Sequence, residues 1–112
     1  MSSTVPTTRR TDDAPVRFGV IGAGFIARWF AEAVAREPGA QIVAVTSAHR
    51  ERADAFATEH AIAHAYASIE EMLAAHGPGS PDPIDVIHVG SPNSLHTQHS
   101  IAALEAGFHV VV

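Results

Sequence analysis

Apolar, strand-like runs alternate with amphipathic helical stretches through residues 15–112. The first run turns into the first helix at a G-x-G-x-x-A, and no segment carries a second core of its own. These observations predict an α/β fold: a doubly wound parallel sheet of the Rossmann kind, incomplete because the chain stops inside its fifth strand, with no second domain. The 112 residues allow one compact domain, expected over 15–112. Residues 1–14 are polar and lead through two aspartates into the first strand, so they are expected to form a disordered tail.

Each element has its own signal. Val16 to Ile21 is nearly continuous in apolar residues and ends at Gly22, as a strand buried on both faces requires. The helix that follows places Ile26, Phe30, Ala33 and Val34 at i, i+4, i+7 and i+8, which predicts a core-facing stripe. Pro38-Gly39 stops it, and Gln41 to Val45 is the second strand. From Arg50 the pattern is helical again, with Ala53, Phe56 and Ala57 on one face, and a weak third strand lies around His64 to Tyr66. Ser68 to Glu71 reads S-x-x-E, a capping box, and opens a short helix with Ile69, Met72 and Leu73 inward. Ile84 to Val89 is the fourth strand. Ser91-Pro92-Asn93 then turns into a helix whose Thr97, Ile101 and Leu104 are expected to face the core. Gly107 ends that helix, and Phe108 to Val112 begins a fifth strand.

Composition removes several function classes. Twelve acidic against seven basic side chains give a formal charge of −5, which argues against nonspecific nucleic-acid binding. All seven cations are arginines, so lysine chemistry is excluded for these residues. The absence of cysteine removes disulfides and thiolate zinc sites. No apolar run approaches a membrane span, and a cytoplasmic location with no membrane partner is expected. His60 and His64, and likewise His96 and His99, read as surface or partly buried histidines, with no metal site.

Three motifs carry chemistry. In Gly22-Ala23-Gly24-Phe25-Ile26-Ala27, Gly22 permits a tight turn, Gly24 lets the backbone approach a pyrophosphate, and Ala27 lets helix and strand pack closely. The helix N-terminus adds unpaired N–H groups and a partial positive charge. At the end of strand two an NAD site would place an acidic side chain, yet Thr46-Ser47-Ala48-His49-Arg50 has none before Glu51. Ser47 can donate to a phosphate and Arg50 can pair with one, so NADP is favoured over NAD. The plainer alternative is a turn at Ser47 and His49, followed by solvated Arg50 and Arg52. The third motif, Ser91-Pro92-Asn93-Ser94-Leu95-His96, lies at the carboxyl end of strand four, where ligands of such sheets bind. Asn93 can cap the helix or present its amide to a ribose or the nicotinamide.

The order and spacing of these motifs, with Phe108-His109-Val110-Val111-Val112 after Ala106-Gly107, resemble the N-terminal domain of the Gfo/Idh/MocA oxidoreductases over nearly all of 16–112. The resemblance implies an NAD(P)-dependent parent enzyme acting on the CH–OH groups of sugars or polyols, with a homo-oligomeric assembly. It also implies that Gly22, Gly24, Phe25, Ile26 and Ala27 hold the pyrophosphate and that Ser91, Pro92, Asn93 and His96 flank the nicotinamide ribose. Ser47 matches the serine of a serine-arginine pair common in members using NADP, but Ala48 stands where the arginine would be. Family members continue from the strand begun at Phe108 into a glutamate-lysine-proline motif, whose lysine handles the proton at the substrate carbinol, and then into a C-terminal α+β domain. The expected role is therefore the cofactor-binding part of such an enzyme, its length reading as a cut before that lysine. The alternatives are a freestanding dinucleotide-binding module without chemistry and a domain that uses the glycine turn for packing alone.

Overall fold

The computed structural model describes residues 14–112. The tail expected over 1–14 lies outside them except for Ala14. The elements run β1 (Val16–Ile21), α1 (Phe25–Ala35), β2 (Ala40–Thr46), α2 (Arg50–His60), β3 (His64–Tyr66), α3 (Ile69–Ala75), β4 (Val86–Val89), α4 (Asn93–Glu105) and β5 (His109–Val111). Every strand pairing is parallel, in the order β3-β2-β1-β4-β5. The chain winds outward from β1 to β3, then crosses back to lay β4 on the other side of β1. That reversal creates a topological switch point, so the crevice of the fold opens beyond the carboxyl ends of β1 and β4.

Strand alternation and helix phase make two apolar layers, with a register shift of β1 on β2 at Phe18/Gly19 that lets Val43 and Val45 serve opposite layers. Val20 and Val45 meet Ala27, Ala31, Phe56 and Ala57 on one face, under α1 and α2. Ile21, Val43, Ile87 and Val89 meet Met72, Ala103 and Phe108 on the other, under α3 and α4. Burial on both faces explains why the strands read as unbroken apolar runs. Ser68 caps α3 by accepting from the Glu71 N–H at 3.3 Å, while its own hydroxyl donates to Glu70 Oε1 at 2.9 Å. Gly107, at φ +94°, ends α4 as the motif predicts: its N–H bonds to Leu104 O and that of Phe108 to Ala103 O.

Two helix faces differ from expectation. In α1 the buried residues are Ala27 and Ala31, flanked by Phe30 and Val34, whereas Ala33 is exposed and Ile26 retains 51% of its surface. In α4 the fully buried position is Ala103, and the expected stripe of Thr97, Ile101 and Leu104 points outward, Leu104 at 58% exposure. The reason is steric. A helix lying close on a sheet selects small side chains at the contact, and a reading by apolarity alone selects the bulkier ones.

The amino-terminal end of the central strands, away from the crevice, is polar. Arg17 pairs with Asp82 and donates from Nε to Pro83 O at 2.8 Å. His76 Nδ1 lies 2.7 Å from the Asp82 carbonyl, which can only accept, so Nδ1 carries the proton and Nε2 accepts from the Tyr66 hydroxyl at 2.9 Å. Burial, then the charges of His64 and Arg17, push the His76 pKa down. On β4, His88 is also buried and its ring stacks flat on Phe30 at 4.0 Å, with no partner for Nδ1 among the described residues. Burial lowers its pKa too, with a smaller contribution from His96, while a backbone hydrogen bond acts in the opposite direction.

These rings resist protonation in the folded state, whereas the unfolded chain titrates them near 6.5. The unfolded state thus binds more protons as the pH falls through that value; the stabilisation is complete above it and is lost below it. Acidification from about pH 7.5 to about pH 5.5 is expected to lower the melting temperature. His88→Phe keeps the ring stack without a titrating nitrogen and is expected to shrink that drop. An undiminished drop in the variant would remove His88 from the account.

Candidate functional site

The crevice is built around a close crossing of two backbones. The Gly22 N–H bonds to Thr46 O at 2.7 Å and the Gly90 N–H to Ile21 O at 2.8 Å, so the chain ends of β1, β2 and β4 are tied together. Gly22 has φ +106°, and a Cβ placed there would lie 2.9 Å from the carbonyl carbon and oxygen of Gly90. Both conformation and contact therefore demand glycine. Ala27 is fully buried against the same crossing, its Cβ 3.5 Å from where a Gly90 Cβ would stand, so helix and strand pack closely there.

Gly24 is different. It is the N-cap of α1 in an extended conformation, and a Cβ built on it meets nothing within 4 Å. The fold does not need glycine there; the lack of a side chain keeps the floor of the crevice open. The first intrahelical bond runs from the Arg28 N–H to Gly24 O, so the amides of Phe25, Ile26 and Ala27 have no acceptor within the helix. No side chain caps them and no acid stands in the first turn. This end of α1 offers hydrogen-bond donors and positive potential to the open space.

The end of β2 forms the second wall. Ser47 Oγ accepts from the His49 N–H at 3.3 Å and keeps its own proton for another acceptor. His49 is the N-cap of α2 and lines the crevice with Thr46, Ser47 and Ala48. Arg50 does not line it: its Nε lies 3.1 Å from Asp54 Oδ1, one turn along the helix. Arg52 does. The third wall is the start of α4. Ser91 is 8% exposed, its Oγ is 2.7 Å from His99 Nδ1, and its carbonyl accepts from His96 Nε2. Burial, then the charge of His96, lowers the His99 pKa against the raising effect of Glu70. Pro92 lines the rim, and Asn93 opens α4 with its side chain outside the described set.

The resulting space is about 700 Å³. Among the described residues lining it there is no Asp or Glu side chain, and Arg52 is the one arginine. Set against a chain of net charge −5, this is a locally electropositive cleft suited to an anionic ligand. Gly22, Ala23, Gly24, Phe25, Ile26, Ser47, His49, Ser91, Pro92 and His96 come together around it, while Ala27 supports it from beneath. Sequence reasoning did not place Gly90, Arg52 or His99 in the site: it read Arg52 as solvated and His99 as a surface or partly buried histidine. Gly90 was visible as a glycine at the end of a strand, whereas Arg52 carried no local signal beyond standing in the first turn of α2. No helix among the described residues is long and apolar enough to cross a membrane.

Comparison with known proteins identifies the family and supports the fold. Residues 16–112 match the model of the Gfo/Idh/MocA oxidoreductase family, NAD-binding Rossmann fold. The chain is 38% identical over 95 residues to the 1,5-anhydro-D-fructose reductase of Ensifer adhaerens, covering 85% of this chain and 27% of that protein. It is 35% identical over 96 residues to scyllo-inositol 2-dehydrogenase (NADP(+)) IolU of Bacillus subtilis (strain 168), covering 86% of this chain and 27% of that one. Among solved structures, the WlbA dehydrogenase from Bordetella pertussis, in complex with NADH and UDP-GlcNAcA, superposes with a TM-score of 0.75 at 26% identity, covering 86% of this chain and 28% of that one. The chain thus spans roughly a quarter of the length of the curated relatives it matches.

Proposed function

Because the chain belongs to the Gfo/Idh/MocA oxidoreductases, as their NAD-binding Rossmann domain, we propose that its crevice binds NADP(H) and that it serves as the cofactor-binding part of a dehydrogenase acting on a sugar or polyol carbinol. The observation that carries this reading is the contrast between Gly22, which the fold requires, and Gly24, where a side chain would meet nothing in the fold and which stands at a helix end whose amides lack acceptors. The substrate class is carried over from relatives named for an anhydrofructose and an inositol.

In this reading the α1 amides and Gly24 receive the pyrophosphate, and Ser47 faces the adenosine ribose. Ser91 and His96 flank the nicotinamide end, with Asn93 at the head of α4 as the third member of that set. The bound cofactor supplies a hydride acceptor or donor. The chain's own contribution there is orientation: the His96 tie to the Ser91 carbonyl and the Ser91–His99 contact fix the wall against which the ring lies. Absence of a carboxylate at the β2 corner favours the phosphorylated cofactor over NAD. Titration of the full chain with NADPH and NADH, followed by nicotinamide fluorescence, is expected to show saturable binding. If neither dinucleotide saturates, the reading is wrong.

A further inference from the structure

We propose that His99 is a positioning residue: by taking the Ser91 hydroxyl proton on Nδ1 it presents Ser91 to the crevice as an acceptor, and protonation of its ring reverses that presentation and weakens the hold on the nicotinamide riboside. The inference rests on the dinucleotide reading above and adds a proton-linked control at the end of the cofactor that reacts.

His96 and His99 stand three residues apart on α4, so one face of the helix presents both rings. They take the two oxygens of a single residue. The Ser91 carbonyl accepts from His96 Nε2, and Ser91 Oγ lies 2.7 Å from His99 Nδ1. Ser91 is buried, and among the described residues its hydroxyl proton has no acceptor besides that Nδ1. Giving the proton to the ring satisfies a buried donor and leaves the lone pairs of Oγ for a group in the crevice, which Ser91 and His99 both line. The complementary ligand group is a donor. A nicotinamide riboside carries such donors in its ribose hydroxyls and its carboxamide N–H groups.

A protonated imidazole has no acceptor nitrogen. Its Nδ1–H would donate to Oγ, and the hydroxyl would turn its own proton into the crevice, donor against donor. The titratable groups that act on His99 are His96 on the same helix and Glu70 on α3. Burial and the charge of His96 hold its pKa below the ordinary histidine value against the pull of Glu70, so the ring is neutral at neutral pH and gains its proton on acidification. The expected effect is opposite in sign to plain attraction. His49, His96 and His99 all line the crevice, and positive charge gained by any of them would strengthen the binding of an anionic dinucleotide. A loss of affinity in acid that depends on His99 therefore reports the hydroxyl and not the charge.

Calorimetric titration of the full chain with NADP+ and with ADP, which ends at the pyrophosphate, tests this in wild type, His99→Leu and His99→Asn. At about pH 7.5, His99→Leu is expected to weaken NADP+ binding by about threefold to tenfold and to leave ADP within about twofold, since only the longer ligand reaches Ser91. His99→Asn, whose amide oxygen can stand in for Nδ1, is expected to recover most of that loss. From about pH 7.5 to about pH 5.5 the wild-type affinity for NADP+ is expected to fall at least about threefold relative to His99→Asn, which has no ring to protonate. Titration of the ligand's own phosphates is common to both proteins and cancels. Equal weakening of NADP+ and ADP in His99→Leu, weakening of neither, or identical pH responses of wild type and His99→Asn would each overturn the proposal while leaving the dinucleotide reading intact. Binding of neither ligand by wild type would overturn both.

Discussion

Gly24→Asp is expected to reduce dinucleotide affinity by at least about a hundredfold while the melting temperature holds or rises slightly. The two effects have opposite signs because they have different origins. Gly24 is an N-cap in extended conformation with open space around it, so an aspartate fits and can accept from the uncapped amides of α1. Asp is a better N-cap than Gly by a few tenths of a kcal/mol, and its charge gains roughly 0.3–1 kcal/mol from the helix dipole. The same carboxylate occupies the place offered to a pyrophosphate and repels it. Fluorescence titration with NADPH and a thermal melt of the same sample check both halves. A variant that binds as tightly as wild type would mean that the open floor of the crevice is not where the phosphates lie.

Gly22→Ala is expected to act on the fold first, destabilising it by about 3 kcal/mol or more. Part of this comes from φ +106°, a conformation that costs an L residue roughly 1–2 kcal/mol. The remainder comes from the approach of the new methyl to Gly90: a contact of 2.9 Å with backbone atoms cannot be relieved by a side-chain rotation. Either the β1 turn or the end of β4 must move, and the Gly22–Thr46 and Gly90–Ile21 hydrogen bonds lie on that path. Since a domain of this size has only about 5–15 kcal/mol of net stability, the loss is expected to appear as a large shift in the urea midpoint. A change below about 1 kcal/mol would show that the crossing relaxes easily. The paired outcomes separate the glycines, one serving the fold and the other serving the ligand.

The glycine turn was legible because its requirement is local. Gly22, Gly24 and Ala27 sit in a strand, a turn and a first helical turn that can be read without knowing what packs on them. The face of α2 was legible for a similar reason, since Ala53, Phe56 and Ala57 are both its apolar residues and its buried ones. On α1 and α4 the same reasoning pointed outward, because close packing on the sheet chose Ala27, Ala31 and Ala103 over bulkier neighbours. The Arg50–Asp54 pair was present in the sequence as an i, i+4 spacing, and taking it into account would have removed Arg50 from the cleft.

The amino-acid sequence by itself determined the alternation of elements, the parallel doubly wound sheet and the position of the glycine turn, since these depend on periodicity and on backbone freedom at single residues. Only the tertiary structure decided that Gly22 and Gly90 cross in contact and that Ala27, Ala31 and Ala103 are the residues which α1 and α4 set against the sheet. Those facts depend on distances between segments far apart in the chain. Such distances are set by how closely the α1 and α4 layers settle on the sheet, and local patterning carries no measure of that.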